Sequence, residues 1–234
     1  MRPKIKICGI ADPAFAAEAA RRGVDYIGVV FAASSPRRVD AGRAREIAAA
    51  VREACPESPP KTVGVFVGGG ADEILETAEA ASLDVVQLHG GHDRETAAWL
   101  RGAGLEVWRL VESGSDVVVP DGSIDMLLLD GRVGGKTGGT GRRADWSLVG
   151  KLKADGFRVV LAGGLSPENA AEAAATGADV LDFNSALETS PGVKSLLRLN
   201  ELLRRLETGR HLIRRSLLSA AQFLQGAHQF RGAQ

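Results

Sequence analysis

Only two of the 234 residues are cysteine, Cys8 and Cys55, so a disulfide framework is excluded as the device that holds the chain together. A chain of this length buries enough surface to fold without one. No run of eighteen apolar residues occurs, which excludes a membrane-spanning helix. The 29 basic and 29 acidic residues cancel, so no global charge points to nucleic acid or an anionic membrane. The opening Met-Arg-Pro-Lys-Ile-Lys lacks the apolar stretch of a signal peptide, and a cytoplasmic location with reduced cysteines is expected. Two nucleotide signatures are missing as well. No G-x-G-x-x-G follows the first apolar run, and Gly134-Gly135-Lys136-Thr137 imitates a P-loop only until its first glycine is sought, where Asp130 stands.

What is present is a soluble globular composition, 44% hydrophobic and 25% charged, with an excess of glycine: 29 of 234, where about 7% is usual. Eight short apolar runs begin at Lys4, Asp25, Lys61, Asp84, Leu105, Asp125, Phe157 and Asp179, each followed by a stretch with helical spacing. Runs without strict alternation suit parallel strands covered on both faces. Asp12-Pro13, Asp40 and Ser166-Pro167 read as helix starts, and Gly23, Gly104 and Gly177 as helix stops. Leu196, Leu199, Leu203 and Leu206 form the apolar stripe of a closing helix. The pattern predicts a single-domain α/β protein, a (β/α)8 TIM barrel over residues 1–208, with an open doubly wound sheet as the competing architecture. Residues 209–234 form a basic amphipathic extension, expected to be helical and docked.

In such a barrel the residues just past the carboxyl ends of the strands build the active site. That rule selects Cys8-Gly9, Ser34 to Arg38, His89-Gly90, Asp130, the glycine loop to Gly141, Gly163-Gly164 and Asn184-Ser185. Three glycine-bearing loops at neighbouring strand ends outline a phosphate site made of backbone N–H groups. Cys8 is either a small buried hydrophobe or, at the mouth, a base or nucleophile. A thiolate near neutral pH would require an electropositive mouth. Asp130 serves equally as a loop-capping carboxylate or as an acid catalyst. Arg37 and Arg38 are solvated loop charges or partners for a substrate carboxylate. His89 and His92 form an H-x-x-H without a third ligand, so no metal is expected.

In order, Lys6-Ile7-Cys8-Gly9-Ile10, Ser35-Pro36-Arg37, Gln87-Leu88-His89-Gly90, Leu129-Asp130, Gly138-Gly139-Thr140-Gly141, Ala162-Gly163-Gly164-Leu165 and Asp182-Phe183-Asn184-Ser185-Ala186, followed by Glu188 and Ser190-Pro191-Gly192, resemble the phosphoribosylanthranilate isomerase family. The resemblance covers about residues 4–206. It implies an Amadori rearrangement of N-(5-phosphoribosyl)anthranilate to 1-(2-carboxyphenylamino)-1-deoxyribulose 5-phosphate, without cofactor or metal. Asp130 would be the general acid and Cys8 the general base. Arg37, His89 and Asp182 would bind the rest of the substrate, and Gly139, Gly141, Gly163, Gly164, Ser185 and Ala186 its phosphate. Many members carry Ser-Ser-Gly in place of Asn184-Ser185-Ala186, although the Asn-Ser-Ala form also occurs. The resemblance implies a small phosphorylated substrate, no nucleic acid or membrane partner, and a monomer or homodimer. The alternatives are a paralogue acting on another N-phosphoribosyl amine and a silent phosphosugar-binding barrel. A histidine-pathway sister barrel carries a carboxylate after strand one, where this chain has Cys8.

Overall fold

The computed structural model describes residues 2–111, 122–131 and 145–208. Eight parallel strands close into a barrel in sequence order: β1 (Lys4–Ile7), β2 (Tyr26–Val30), β3 (Lys61–Phe66), β4 (Val85–Leu88), β5 (Glu106–Leu110), β6 (Met126–Leu129), β7 (Val159–Leu161) and β8 (Val180–Phe183). Pairing of β1 with β8, Lys6 opposite Asp182, closes the ring and excludes the open sheet. Helices α1 (Pro13–Arg21), α2 (Ala41–Ala54), α3 (Ala71–Ala81), α4 (Arg94–Gly102), α5 (Ser147–Ala154), α6 (Ala170–Ala175) and α7 (196–208) cover the outside. Eight helices were expected and seven occur among the described residues. The missing one would follow β5, where 112–121 lie outside them. The extension 209–234 lies outside them too. No helix among the described residues is long and apolar enough to cross a membrane.

The helix starts follow from local chemistry. Asp12 and Asp40 accept the N–H of Ala14 and Arg43 at 3.0 and 2.7 Å, and Ser166 forms a capping box with Asn169 on a 3₁₀ turn that leads into α6. In α7 the stripe is buried through Leu199, Leu202 and Leu206, so Leu202 lies deeper than the expected Leu203. One element was not foreseen: β9 (Glu188–Ser190) and β10 (Val193–Lys194) pair antiparallel around Pro191-Gly192, directly after β8.

Side-chain alternation divides the apolar residues in two. One set, including Ile5, Ile7, Ile27, Val86, Leu127 and Leu181, packs between sheet and helices. Another, including Tyr26, Val63, Val85, Trp108, Met126, Val160 and Val180, fills the interior. Tyr26 and Trp108 meet edge to face at 4.9 Å. The plug ends below the mouth. There the inward positions change to Cys8, Gln87, Asp130 and Asp182.

A repeat of two β/α units, not visible as sequence similarity, ties the strand amino ends together. Asp25, Asp84, Asp125 and Asp179 precede the even strands and accept the N–H of Ile5, Thr62, Val107 and Val159 at 2.7 to 2.9 Å. Gly23, Ser82 and Gly177, each two residues before such an aspartate, take positive φ angles of 76°, 54° and 82° to turn the chain into the strand. Asp84→Ala would leave the N–H of buried Thr62 without its acceptor. A destabilisation of about 1–3 kcal/mol is expected, to be read from denaturant midpoints with turnover of the folded protein unchanged.

Candidate active site

The mouth holds a cavity of about 510 Å³, within the ordinary range for small-ligand sites. Its walls come from the ends of β1 (Cys8), β2 (Ser34 to Arg37), β4 (Gln87, His89), β6 (Asp130, Gly131), β7 (Gly163, Gly164) and β8 (Asp182, Asn184, Ser185). Cys8 and Asp130 therefore face each other across one space, three strands apart around the ring. His89 stands beside the acid, with Nε2 3.6 Å from Asp130 Oδ2, and its Nδ1 lies 3.2 Å from Gln87 Nε2. Gly163 must be glycine here. Its φ is 80°, and a Cβ would lie 2.5 Å from Asp130 Oδ1 and overlap the Gly131 nitrogen.

Below the thiol, Lys6 is wholly buried and donates to Asp182 Oδ2 at 2.7 Å. Burial works against its ammonium, but Asp182 and Cys8 outweigh burial, and its pKa lies above the ordinary value. Cys8 itself is buried with Val30 and Val65. Burial pushes the thiol up and Asp182 adds to the rise, while Lys6 and Lys194 pull it down. The net direction is upward. The electropositive mouth that a neutral-pH thiolate requires is thus partly built, yet burial outweighs it.

A second charged cluster forms where the β9–β10 hairpin meets the loop after β2. Arg37 grips Glu188 with both edges of a fork, Nε to Oε1 at 2.7 Å and Nη2 to Oε2 at 2.6 Å. Lys194 donates to Glu188 Oε1 at 2.7 Å, to the Asn184 carbonyl at 3.0 Å and to Asn184 Oδ1 at 2.8 Å. Burial disfavours the Glu188 carboxylate, but its bonds from Arg37 and Lys194 win and hold its pKa down at about 2. The Glu188 contribution to stability is then complete above the ordinary glutamate value of about 4.3 and lost as pH falls towards 2. Glu188→Gln should flatten the fall in stability across that acid window, measured as denaturant midpoints at successive pH values. An unchanged acid limb would assign the fall to other carboxylates.

The family model for N-(5'phosphoribosyl)anthranilate (PRA) isomerase matches residues 5–205. The chain belongs to this family. An N-(5'-phosphoribosyl)anthranilate isomerase of Rubrobacter xylanophilus is 39% identical over 86% of this chain and 96% of its own length, and one of Campylobacter jejuni is 33% identical over 87% and 98%. The chain spans about two fifths of the length of TrpCF relatives such as that of Vibrio parahaemolyticus, which is 38% identical. Among solved structures, phosphoribosyl anthranilate isomerase from Thermus thermophilus superposes with a TM-score of 0.75 at 35% identity, covering 88% of this chain and 98% of the other. A phosphoribosyl anthranilate isomerase in complex with reduced 1-(o-carboxyphenylamino)-1-deoxyribulose 5-phosphate gives 0.72 at 28% identity, covering 88% and 99%.

Of the residues the family pattern singles out, Cys8, Arg37, His89, Asp130, Gly163, Gly164, Asp182 and Ser185 line the one cavity. Ala186 sits in the 3₁₀ turn behind Ser185, where its carbonyl accepts from Arg198, and it does not line the cavity. Gly139 and Gly141 lie outside the described residues. His92 is no companion of His89: its Nε2 pairs with the Gly68 carbonyl at 2.9 Å. Among the described residues no cluster of His, Cys, Asp and Glu could hold a metal ion. Cys55 ends α2, away from the cavity. Sequence reasoning assigned no role to Lys6, Gln87, Glu188 or Lys194. The one signal for Lys6 was a lysine two positions before Cys8, on the same face of β1 as Cys8.

Proposed function

We propose that this protein catalyses the Amadori rearrangement of N-(5-phosphoribosyl)anthranilate to 1-(2-carboxyphenylamino)-1-deoxyribulose 5-phosphate, a step of tryptophan biosynthesis. The observation that carries this reading is the pair Cys8 and Asp130 facing across one cavity, with Arg37 at one side and Gly163, Gly164 and Ser185 at another. Opening an aminoglycoside ring needs a proton delivered to an ether oxygen, and isomerisation needs one taken from carbon. Asp130 gives its proton to the ribose ring oxygen, and the C–O bond breaks to leave an iminium. The Cys8 thiolate removes the C2 proton, and the electron pair neutralises the iminium to an enolamine. Proton return to C1 and loss of the enol proton then give the ketone. C2 is oxidised as C1 is reduced within the one molecule, so atoms and electrons balance without an external oxidant or reductant. The enzyme, an intramolecular oxidoreductase of the aldose-ketose isomerase kind, works without cofactor or metal.

The phosphate anchors the sugar on backbone N–H groups around Gly139, Gly141, Gly163, Gly164, Ser185 and Ala186. Asp182 lies near the bridging amine. Arg37 receives the aryl carboxylate. Glu188 occupies its Nε and Nη2 edge, and Nη1, which makes no hydrogen bond among the described residues, is the nitrogen left for substrate. The protein acts in the cytoplasm as a monomer or homodimer, with no nucleic-acid or membrane partner.

Arg37→Met is expected to raise KM roughly 10- to 150-fold, the equivalent of a charge-assisted bond of about 1.5–3 kcal/mol, with a smaller effect on kcat. The carboxylate is present in both ground and transition states, so its loss weakens both alike. Steady-state kinetics showing a large fall in kcat at constant KM would place Arg37 in the chemical step. The reading as a whole is tested by adding N-(5-phosphoribosyl)anthranilate to purified protein and following anthranilate-type fluorescence. A protein-dependent loss of signal supports it. No turnover with this substrate, by correctly folded protein, would sink it.

A further inference from the structure

Lys6 occupies a costly position. It is fully buried inside the barrel, with its Nζ 6.0 Å from the Trp108 ring, and an apolar side chain would fill that space without desolvating a charge. We propose that Lys6 is a positioning residue for the reaction, its ammonium, clamped by Asp182, being the counter-ion against which the Cys8 sulfur becomes a thiolate. The inference rests on the reading of Cys8 as the base and adds what makes that base usable.

Alternation along β1 sends Lys6 and Cys8 to the same inward face. The neighbouring strand then clears a space for both. A Cβ on Gly28 would lie 3.1 Å from Cys8 Sγ and 3.1 Å from Lys6 Cε, so the two side chains converge on the volume that this glycine leaves open. Cys8 is faced by Lys6 from its own strand, by Asp182 from β8, by Lys194 from β10 and by Arg37 from the loop after β2, with Asp130 and His89 across the cavity. Of the three cations, two are committed elsewhere. Lys194 donates its three protons to Glu188 and twice to Asn184, and Arg37 is forked onto Glu188. Lys6 donates one proton to Asp182, which leaves two for the sulfur. Asp182 fixes the ammonium from the strand in register with it. Lys6 itself moves no proton. It keeps its charge while the thiol ionises to solvent, and the thiolate then takes the C2 proton.

The test titrates the thiol without substrate. In a Cys55→Ala background, where Cys8 is the only cysteine, the rate of alkylation by iodoacetamide is followed against pH for the parent, for Lys6→Met and for Lys6→Met/Asp182→Asn. The double variant removes the buried charges together, so no unpaired carboxylate is left to unfold the barrel, and it decides the matter if the single variant does not fold. The alkylation midpoint is expected to rise by at least about one pH unit in Lys6→Met, a tenfold loss of thiolate at a given pH. The double variant should rise less, because Asp182 opposes the thiolate, but should stay above the parent. The rising limb of kcat/KM against pH, which reports the base, should move by the same amount as the alkylation midpoint. A midpoint within a few tenths of a unit of the parent in the folded variants would overturn the proposal and make Lys6 a structural lysine, however much activity is lost. A shifted midpoint together with full turnover by Cys8→Ala would instead keep the Lys6–sulfur coupling and reject Cys8 as the base.

Discussion

Cys8→Ala is expected to lower kcat by at least about 10²-fold with an unchanged circular dichroism spectrum. Its side chain sits in a small cluster with Val30 and Val65 at the mouth, apart from the main core. Removing the sulfur there costs about as much stability as removing one methylene, roughly 0.8 kcal/mol. The catalytic loss is larger because no other group on β1 can take a proton from carbon: Lys6 already holds its own. Cys55→Ala, at the end of α2, should retain full activity and serves as the control. Because burial holds the Cys8 thiol above its ordinary value, kcat/KM of the parent should still be rising with pH in the alkaline range. Near-normal turnover by folded Cys8→Ala would refute the assignment of the base.

Asp130→Asn should produce a loss of similar size, about 10²- to 10⁴-fold in kcat, with KM little changed. Asparagine keeps the shape that packs against Gly163 and can still meet His89, so the fold has no reason to change. It cannot surrender a proton to an ether oxygen, however, and ring opening then proceeds without an acid. Single-turnover measurements should show ring opening to be the slowed step. A variant that folds and keeps its kcat would move the acid role elsewhere, and His89, 3.6 Å from the Asp130 carboxylate, would be the next group to test.

Much of this molecule was legible in the chain. Eight apolar runs separated by helical spacing are local features, and so are Asp12-Pro13, Asp40 and Ser166-Pro167, whose side chains cap helices within a few residues of themselves. Once the barrel is inferred, the rule that chemistry lies past the strand ends carries Cys8, Asp130, Arg37 and His89 into one cavity without further information, whereas Asp182, inside β8, was pointed to only by the family resemblance. The β9–β10 hairpin escaped because its strands are three and two residues long, too short to show a period.

What the sequence by itself determined is the order of elements and the identity of the residues at the mouth, because both follow from short-range periodicity and from which residue ends each strand. The tertiary structure alone decided the pairings and their electrostatic sign. Lys6 and Asp182 are 176 positions apart and Arg37 and Glu188 are 151 apart, and they meet because closing the ring sets β8 against β1 and its following hairpin against the loop after β2. Whether Cys8 titrates above or below an ordinary thiol depends on burial competing with charges from β1, β8 and β10, a balance set by packing distances that no residue order contains.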